Sequence, residues 1–169
     1  MESKLVYMIK KVGIEELEII IDLLIDASWW LKSKGLQQWD YYLTDIDGNL
    51  GEITESLKKG NTYLLLLSNR AAGTLTLESS PNKWDCEMWG DAAAEEGCMY
   101  LHRLVVKREW KGEGLGAECL KWAESFCQQN GYGKLRFDCL HSNEGLNHYY
   151  QKRYKLKETV HFHVSWNAQ

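Results

Sequence analysis

The sequence lacks the patterns that mark several large classes of protein. No apolar run approaches the ~20 residues of a membrane-spanning helix, and polar Glu2, Ser3 and Lys4 follow Met1, so we expect a soluble protein without a membrane segment. The five cysteines are odd in number and none is spaced as C-x-x-C, which argues against a zinc ribbon or a disulfide framework and favours a reducing cytoplasm. Positive charge forms no stripe and the formal net charge is −4, so we expect no nucleic-acid partner.

The chain of 169 residues predicts one domain, 1–169, large enough to bury roughly 70% of its unfolded surface without a metal or a disulfide. The spacing of apolar residues predicts strands at Lys4–Val12, Thr62–Ser68, Ala71–Glu78, Met99–Val106, Lys134–Leu140 and Lys157–Trp166, and helices at Ile14–Lys34, Leu50–Lys59, Leu115–Gln129 and Asn143–Lys152. Ser79–Gly97, with the only proline and an acidic D-A-A-A-E-E run, is predicted to be a mobile excursion. In this order of elements, the strands on either side of the 115–129 helix are expected to be parallel.

The most informative local pattern is a glycine-spaced turn, K-G-E-G-L-G at Lys111–Gly116, between a predicted strand and a predicted helix. Glycines at alternate positions leave backbone N–H groups uncrowded by side chains. The start of a helix adds further unpaired N–H groups and the positive end of the helix dipole. Such a turn is suited to holding a phosphate group.

Three phosphate ligands compete for this turn, beside a purely structural role in tightening the connection. A nucleoside-triphosphate loop needs a lysine and then a serine or threonine after its glycines, and no such pair follows Gly116. A dinucleotide fingerprint would read G-x-G-x-x-G directly after the strand, with an acid about 20 residues on. Asp138 is suitably spaced, but the pattern here is G-x-G-x-G, and only one parallel unit is predicted. Coenzyme A is the third ligand.

Two motifs resemble those of the GNAT superfamily of N-acetyltransferases. The segment L-V-V-K-R-E-W-K-G-E-G-L-G, residues 104–116, is similar to the acetyl-CoA signature (Arg/Gln)-x-x-G-x-(G/A), which falls on Lys111, Gly114 and Gly116. The segment Asn143–Tyr150 is similar to the N-x-x-(A/L)-x-x-x-Y helix that these enzymes place beside the thioester. Lys111 keeps the positive charge of the usual arginine without its planar donor fork, so pyrophosphate binding would depend mainly on backbone N–H groups.

The resemblance implies an α+β fold with a mixed, mostly antiparallel sheet of six to seven strands, flanked by about four helices. It also implies a central splay between the two parallel strands, where acetyl-CoA enters. Backbone groups of Leu104, Val105 and Val106 would pair with the pantetheine arm, and Asn143 would contact the coenzyme near its reactive end. The residues implied to receive the pyrophosphate are Lys111, Gly112, Glu113, Gly114, Leu115, Gly116 and Ala117.

The implied reaction is direct attack of a neutral amine on the acetyl thioester, without a covalent enzyme intermediate. Tyr150 is the expected general acid, because a phenol with a pKa of ~10 is suited to protonating a thiolate of similar basicity. Tyr149 is the alternative acid, since a glycine that commonly ends this helix in the family is absent here.

The expected general base is His102, because an imidazole is the side chain best suited to taking up a proton in the physiological pH range. Strand alternation would put His102 on the same side of its strand as Leu104, and Glu78 and Glu87 are alternative bases. We predict no metal site, because His161 and His163 share a predicted strand face but have no visible third ligand.

Substrate choice is expected to depend on aromatic residues in the first helix, in the loop after it and in the 84–97 segment. The residues assigned to an acceptor pocket are Trp29, Trp30, Trp39 and Trp84. Aromatic rings can hold an apolar group or a cation, and nearby acids such as Asp40, Asp45 and Asp91 favour an amine-bearing small molecule or peptide. We expect a cytoplasmic monomer or homodimer. The alternative function is a non-catalytic module that senses acyl-CoA or another small ligand.

Overall fold

A computed structural model describes residues 6–36, 39–139, 148, 152, 155–156 and 162–167. The helices are α1 Leu17–Ser33, α2 Tyr41–Thr44, α3 Ile46–Lys58, α4 Lys83–Trp89 and α5 Leu115–Gln129. The strands are β1 Tyr7–Lys11, β2 Thr62–Leu67, β3 Arg70–Glu78, β4 Cys98–Val106, β5 Lys134–Cys139, β6 Lys155–Leu156 and β7 Phe162–Asn167. The described residues form two compact units. The first lies within Met1–Thr76 and Arg103–Cys119, and the second within Leu77–His102 and Leu120–Gln169.

The core of the first unit forms where α1 and α3 cover the strands. Its buried members are Val12, Ile20, Leu23, Leu24, Tyr42, Ile53, Leu57, Leu64 and Val105. Apolar residues three and four apart share one face of a helix, which is why the pattern in α1 predicts both the helix and its buried side. The helix ends where Gly35 adopts a φ of 75°, a left-handed conformation that glycine takes without steric cost. The predicted helix at 14–34 is confirmed, apart from a 3₁₀ first turn.

The segment between α1 and β2 contains more helix than the sequence pattern predicted. α3 begins at Ile46 rather than Leu50, because the Asp45 carboxylate accepts a hydrogen bond from the Gly48 backbone N–H at 3.1 Å and caps the helix. The short α2 occupies part of a predicted loop, and it brings Tyr42 into the core. These two helices depend on a cap and on one buried aromatic ring rather than on a long amphipathic pattern.

Strands of the first unit pair in the order β1-β2-β3, and the C-terminal part of β4 lies beside β3. Both β1 with β2 and β2 with β3 are antiparallel. The Lys107 backbone N–H donates to the Ala72 carbonyl at 2.8 Å. Beside this bond, a Cβ atom added to Gly73 would lie 2.3 Å from the Val105 carbonyl oxygen. Only glycine allows β3 and β4 to approach this closely.

In the second unit the strand order is β4-β5-β7-β6. β4 and β5 are parallel, with Cys98 opposite Lys134 and Tyr100 opposite Arg136, which confirms the parallel pair predicted from the connecting helix. β5 with β7 and β6 with β7 are antiparallel. The predicted α+β class with a mixed, mostly antiparallel sheet is therefore confirmed.

Two predictions about the elements were wrong. The helices among the described residues number five rather than about four, and Ser79–Gly97 contains regular structure where no helix was predicted. It contains α4 and a 3₁₀ turn at Gly90–Ala94, because Asn82 and Asp85 form a capping box that starts the helix. In the part of the chain that the structure describes, no helix has the length and apolar character needed to span a membrane.

We predict that Gly73→Ala lowers the free energy of unfolding by about 2 kcal/mol, because the new methyl group has to push two paired strands apart. Gly51→Ala is the matched control. Gly51 is exposed in α3 and a Cβ there meets no atom within 4 Å, so this change should stabilise the protein by up to ~1 kcal/mol. Urea unfolding measures both variants. Equal stability of Gly73→Ala and the wild type would contradict the close approach of β3 and β4.

Candidate active site

The glycine turn of the first unit is an open backbone cradle. Gly112 and Gly114 have φ values of 85° and 74°, and a Cβ at either position would meet no atom within 4 Å. α5 begins directly afterwards at Leu115, whose side chain is buried. No described residue accepts a hydrogen bond from the backbone N–H of Gly114, Leu115 or Gly116. Left-handed glycines followed by a helix N-terminus leave these donors available to an anion.

Contacts within the first unit hold both ends of this turn. On its N-terminal side, the Arg108 guanidinium stacks on the Trp30 ring at 3.8 Å, a cation–π contact. On its C-terminal side, the Tyr7 hydroxyl donates to the Glu118 carboxylate at 2.7 Å, and this hydrogen bond is the main cause that raises the pKa of Tyr7 to about 12. The residues on both sides of the turn are therefore held in place, Arg108 by α1 and Glu118 by β1.

β4 contains an irregularity that the sequence pattern did not predict. Arg103 has a φ of 51°, an uncommon conformation for a residue with a side chain in a strand. Its guanidinium donates to the Ser56 hydroxyl of α3 at 2.8 Å. The left-handed residue interrupts the pleat between His102 and Leu104, so the simple alternation that we used to put these two residues on one side does not apply.

The Leu104–Val106 segment, expected to pair with the pantetheine arm, has a mixed environment. Val105 is buried in the core of the first unit, whereas Leu104 and Val106 are half-buried. The nearby phenol of Tyr42 is also buried, and burial raises its pKa while the Arg103 charge opposes this shift. The side chain of Val105 thus belongs to the core, whereas the side chains before and after it, Leu104 and Val106, are only partly covered.

In the second unit, His102 lies against a buried carboxylate. Its Nε2 is 3.0 Å from Oδ2 of Asp85 in α4. The side chain of Asp85 is only 2% exposed and that of His102 is 11% exposed. The same carboxylate oxygen accepts from the Asn82 backbone N–H at 3.0 Å, and the Asp85 N–H donates to Oδ1 of Asn82 at 2.8 Å. The capping box of α4 therefore also fixes the carboxylate beside the imidazole.

Sequence reasoning missed Asp85. The only signal was N-K-W-D at residues 82–85, which has the spacing of a capping box. That pattern can predict the start of a helix but not which distant histidine its carboxylate meets. Neither Glu78 nor Glu87, the two alternative bases, is the carboxylate that His102 contacts.

A buried arginine fixes the segment that follows α4. The side chain of Arg136 is 4% exposed. Its guanidinium donates to the Ala92 carbonyl at 2.7 Å, the Tyr100 hydroxyl at 3.1 Å and the Glu95 carboxylate at 2.6 Å. It also lies over the Trp89 ring at 4.6 Å. A buried charge is stable only when such partners surround it, and here they include three residues of the supposed mobile excursion.

The four tryptophans assigned to an acceptor pocket have different environments. Trp29 and Trp84 are 57% and 42% exposed, so their rings are accessible to solvent. Trp30 stacks under Arg108 and Trp39 packs edge-on against Tyr42 with the ring centroids 6.0 Å apart. Packing within the first unit therefore accounts for Trp30 and Trp39. Asp45, one of the acids expected to attract an amine, is likewise occupied as a helix cap.

Several predicted residues lie outside the described part of the chain: Asn143, Tyr149, Tyr150 and His161. His163 is described only as part of the backbone of β7. The residues that the structure describes contain no group of three or more His, Cys, Asp or Glu side chains that could hold a metal ion. Burial raises the pKa of the Cys119 and Cys127 thiols to about 12, which disfavours the thiolate that a nucleophile needs.

Comparison with known proteins agrees with this fold and these motifs. Residues 24–154 match the family model described as the acetyltransferase (GNAT) family. A Bacillus subtilis (strain 168) protein described as the uncharacterized N-acetyltransferase YesJ is 35% identical over 138 residues, which are 82% of this chain and 75% of that protein.

Solved structures give the same result. A GNAT-family acetyltransferase from Listeria monocytogenes 4b F2365 superposes with a TM-score of 0.79 at 26% identity, over 95% of this chain and 94% of the other. The PaiA N-acetyltransferase from Thermoplasma acidophilum, solved in complex with coenzyme A, shares the fold with a TM-score of 0.68 at 19% identity, over 96% and 99% of the two chains. The fold and motifs define an acyltransferase. The chain belongs to the GNAT family and is an N-acetyltransferase.

We predict that Arg136→Met opens the segment between α4 and β4, because the change removes the donor to Ala92, Tyr100 and Glu95 at once. The free energy of unfolding should fall by about 3 kcal/mol, and a glutamate-specific protease should cut after Glu96, which lies in that segment, at least 10-fold faster than in the wild type. Lys134→Met is the control, since Lys134 also pairs with Glu95 but is partly exposed, where ion pairs contribute little. Equal digestion rates in the two variants would contradict the anchoring role of Arg136.

Proposed function

We propose that the protein transfers the acetyl group of acetyl-CoA to an amine of a small molecule or peptide by direct attack. The observation that carries this proposal is the pair of left-handed glycines, Gly112 and Gly114, before the N-terminus of α5. Neither glycine has a Cβ to fill the cradle, and the N–H groups of Gly114, Leu115 and Gly116 point to no acceptor among the described residues. These properties fit the pyrophosphate of coenzyme A, and membership of the GNAT family supports the same ligand.

In this proposal the chain binds the coenzyme mainly through its backbone. The pyrophosphate lies against Lys111–Ala117 and is bound by N–H groups at the start of α5, such as those of Gly114, Leu115 and Gly116, and the Lys111 ammonium adds a positive charge. The N–H groups of Lys111 and Glu113 instead donate to the Arg108 and Trp110 carbonyls. Backbone groups of Leu104–Val106 pair with the pantetheine arm in the part of β4 that follows the left-handed Arg103. Asn143, outside the described residues, contacts the coenzyme near the thioester.

Proton transfer requires two further side chains. His102 accepts the proton that the amine loses as it attacks the carbonyl carbon. Tyr150, or Tyr149 as the alternative, gives a proton to the sulfur as the carbon–sulfur bond breaks. The acetyl group moves directly from sulfur to nitrogen, and the products are the amide and the free thiol of coenzyme A. The exposed Trp29 and Trp84 rings are the candidates for acceptor contacts.

Coenzyme binding is tested by Gly114→Asp, which adds a negative charge and a side chain at the cradle. Isothermal titration with acetyl-CoA should show at least a 100-fold loss of affinity, because the carboxylate repels the pyrophosphate and the left-handed backbone disfavours a Cβ. Gly35→Asp is the matched control. Gly35 has a φ of 75° and open space around it, so the same change there should leave the affinity within twofold of the wild type. Unchanged affinity of Gly114→Asp would overturn the assignment of the cradle.

Turnover and the acid are tested by measuring thiol release from acetyl-CoA with a panel of amines: polyamines, amino acids, aminoglycosides and peptide N-termini. Tyr150→Phe should lower kcat by about 10²-fold or more, which is the usual contribution of a general acid, and Tyr149→Phe should change it less than threefold. The reverse result would assign the acid to Tyr149. Equal turnover of both variants and the wild type would exclude a tyrosine acid at either position.

A further inference from the structure

We propose that Asp85 is a positioning residue for His102, and that it fixes the imidazole as the tautomer with hydrogen on Nε2, so that Nδ1 accepts the proton of the amine. This inference rests on the proposed role of His102 as general base. It adds a residue and a specific nitrogen atom to that role.

The hydrogen-bond chemistry determines the tautomer. A carboxylate has no hydrogen to donate, so the 3.0 Å contact between Asp85 Oδ2 and His102 Nε2 needs the hydrogen on Nε2. In the neutral ring, Nδ1 then carries the lone pair. No described residue donates to or accepts from Nδ1 of His102, and we assign this nitrogen as the atom that accepts the proton.

Burial keeps the ring in this orientation. Asp85 is 2% exposed, and rotation of the imidazole away from it would leave a buried carboxylate with one hydrogen bond fewer, which is unfavourable. The carboxylate itself cannot follow the ring, because its Oδ2 also accepts from the Asn82 backbone N–H. At the other end of α4, the Trp89 ring lies under the Arg136 guanidinium. The helix that carries Asp85 is therefore held at both ends.

The proton step balances as follows. The amine nitrogen forms a bond to the acetyl carbon and loses a hydrogen to Nδ1 of His102, which becomes an imidazolium with hydrogen on both nitrogens. The negative charge of Asp85, in contact with Nε2, stabilises this cation. The sulfur leaves with the electron pair of the carbon–sulfur bond and is protonated by the tyrosine. His102 then releases its extra proton to solvent, and the tyrosinate takes up one proton from solvent, so both side chains return to their starting states.

The direct test is the tautomer of His102 in protein with ¹⁵N-labelled histidine. Long-range ¹H–¹⁵N correlation spectra, recorded at a pH where the ring is neutral and assigned with His102→Gln, should show hydrogen on Nε2 and a bare Nδ1 in the wild type. Asp85→Asn should lose this preference, because a carboxamide can donate as well as accept. A wild-type ring with hydrogen on Nδ1, or an unchanged spectrum in Asp85→Asn, would overturn the inference.

Kinetics separate positioning from folding. Asp85→Asn should lower kcat by about 10- to 100-fold, as expected for the loss of a partner that orients a reacting side chain, with the KM for acetyl-CoA within twofold of the wild type. Asp85→Glu, which keeps the carboxylate, should recover part of this loss. Asn82→Ala removes the other half of the capping box but leaves the carboxylate, so it should keep the Nε2–H tautomer and most of the kcat. An Asn82→Ala variant as slow as Asp85→Asn would reduce Asp85 to a helix cap.

Two controls distinguish failure of this inference from failure of the proposed function. Glu96→Gln makes the same chemical change at an exposed residue of the same segment and should leave both the spectrum and kcat unchanged. His102→Gln should lower kcat by about 10²-fold or more. If His102→Gln is as fast as the wild type, His102 is not the base and the inference falls with it, while acetyl transfer stands. If the wild type releases no thiol with any amine, the proposed function fails, and the tautomer spectrum still decides the Asp85–His102 contact.

Discussion

The second unit of the protein depends on the buried positive charge of Arg136, which is removed from water and needs hydrogen-bond acceptors. A guanidinium with so little exposure requires acceptors, and it takes them from Ala92, Glu95 and the Tyr100 hydroxyl. Because two of these acceptors lie in the chain between α4 and β4, satisfying the arginine also determines the path of that chain. The last residue of α4, Trp89, stacks on the same guanidinium. The position of α4, and with it that of Asp85, therefore depends on one buried cation.

The first unit is governed by steric constraints on the backbone instead. Gly73 allows β3 to approach β4 at Val105, and the chain leaves β4 through the left-handed glycines 112 and 114 into α5. Arg103 adopts a left-handed conformation without being a glycine, and its hydrogen bond to Ser56 compensates for part of that cost. The result is a turn in which the main-chain N–H groups of Gly114, Leu115 and Gly116 have no acceptor among the described residues.

In our proposal, backbone groups bind the coenzyme and side chains transfer protons, and this difference follows from the two chemical tasks of an N-acetyltransferase. Holding a pyrophosphate requires several donors with fixed spacing, which a backbone turn supplies for many sequences. Moving a proton requires one titratable side chain in one orientation, which only packing can supply. This difference explains why Lys111 can replace the usual arginine or glutamine of the family signature in our proposal. It also explains why the partner of His102 comes from a segment with no family motif.

Much of the fold could be predicted from the sequence, because the deciding interactions are local. The helical spacing in α1 and α5, the apolar runs of β2 and β4 and the glycine turn each depend on residues close together in the chain. The parallel pairing of β4 with β5 followed from the helix between them and was confirmed by the register. Where short-range signals were weak, the predictions were wrong. α2 and the early start of α3 depend on a buried tyrosine and a single cap, and the order of Ser79–Gly97 depends on an arginine about 40 residues away.

By itself, the sequence determined the family, the class of fold and the turn proposed for coenzyme A, since each of these is encoded by contiguous spacing. Only the tertiary structure decided that Asp85 meets His102, that Arg136 binds the acidic segment and that Trp30 stacks on Arg108. Those contacts join residues 17, 41 to 44, and 78 positions apart. Burial makes them specific, because a charge or polar group removed from water has to find its particular partner, and no local pattern states which partner that will be.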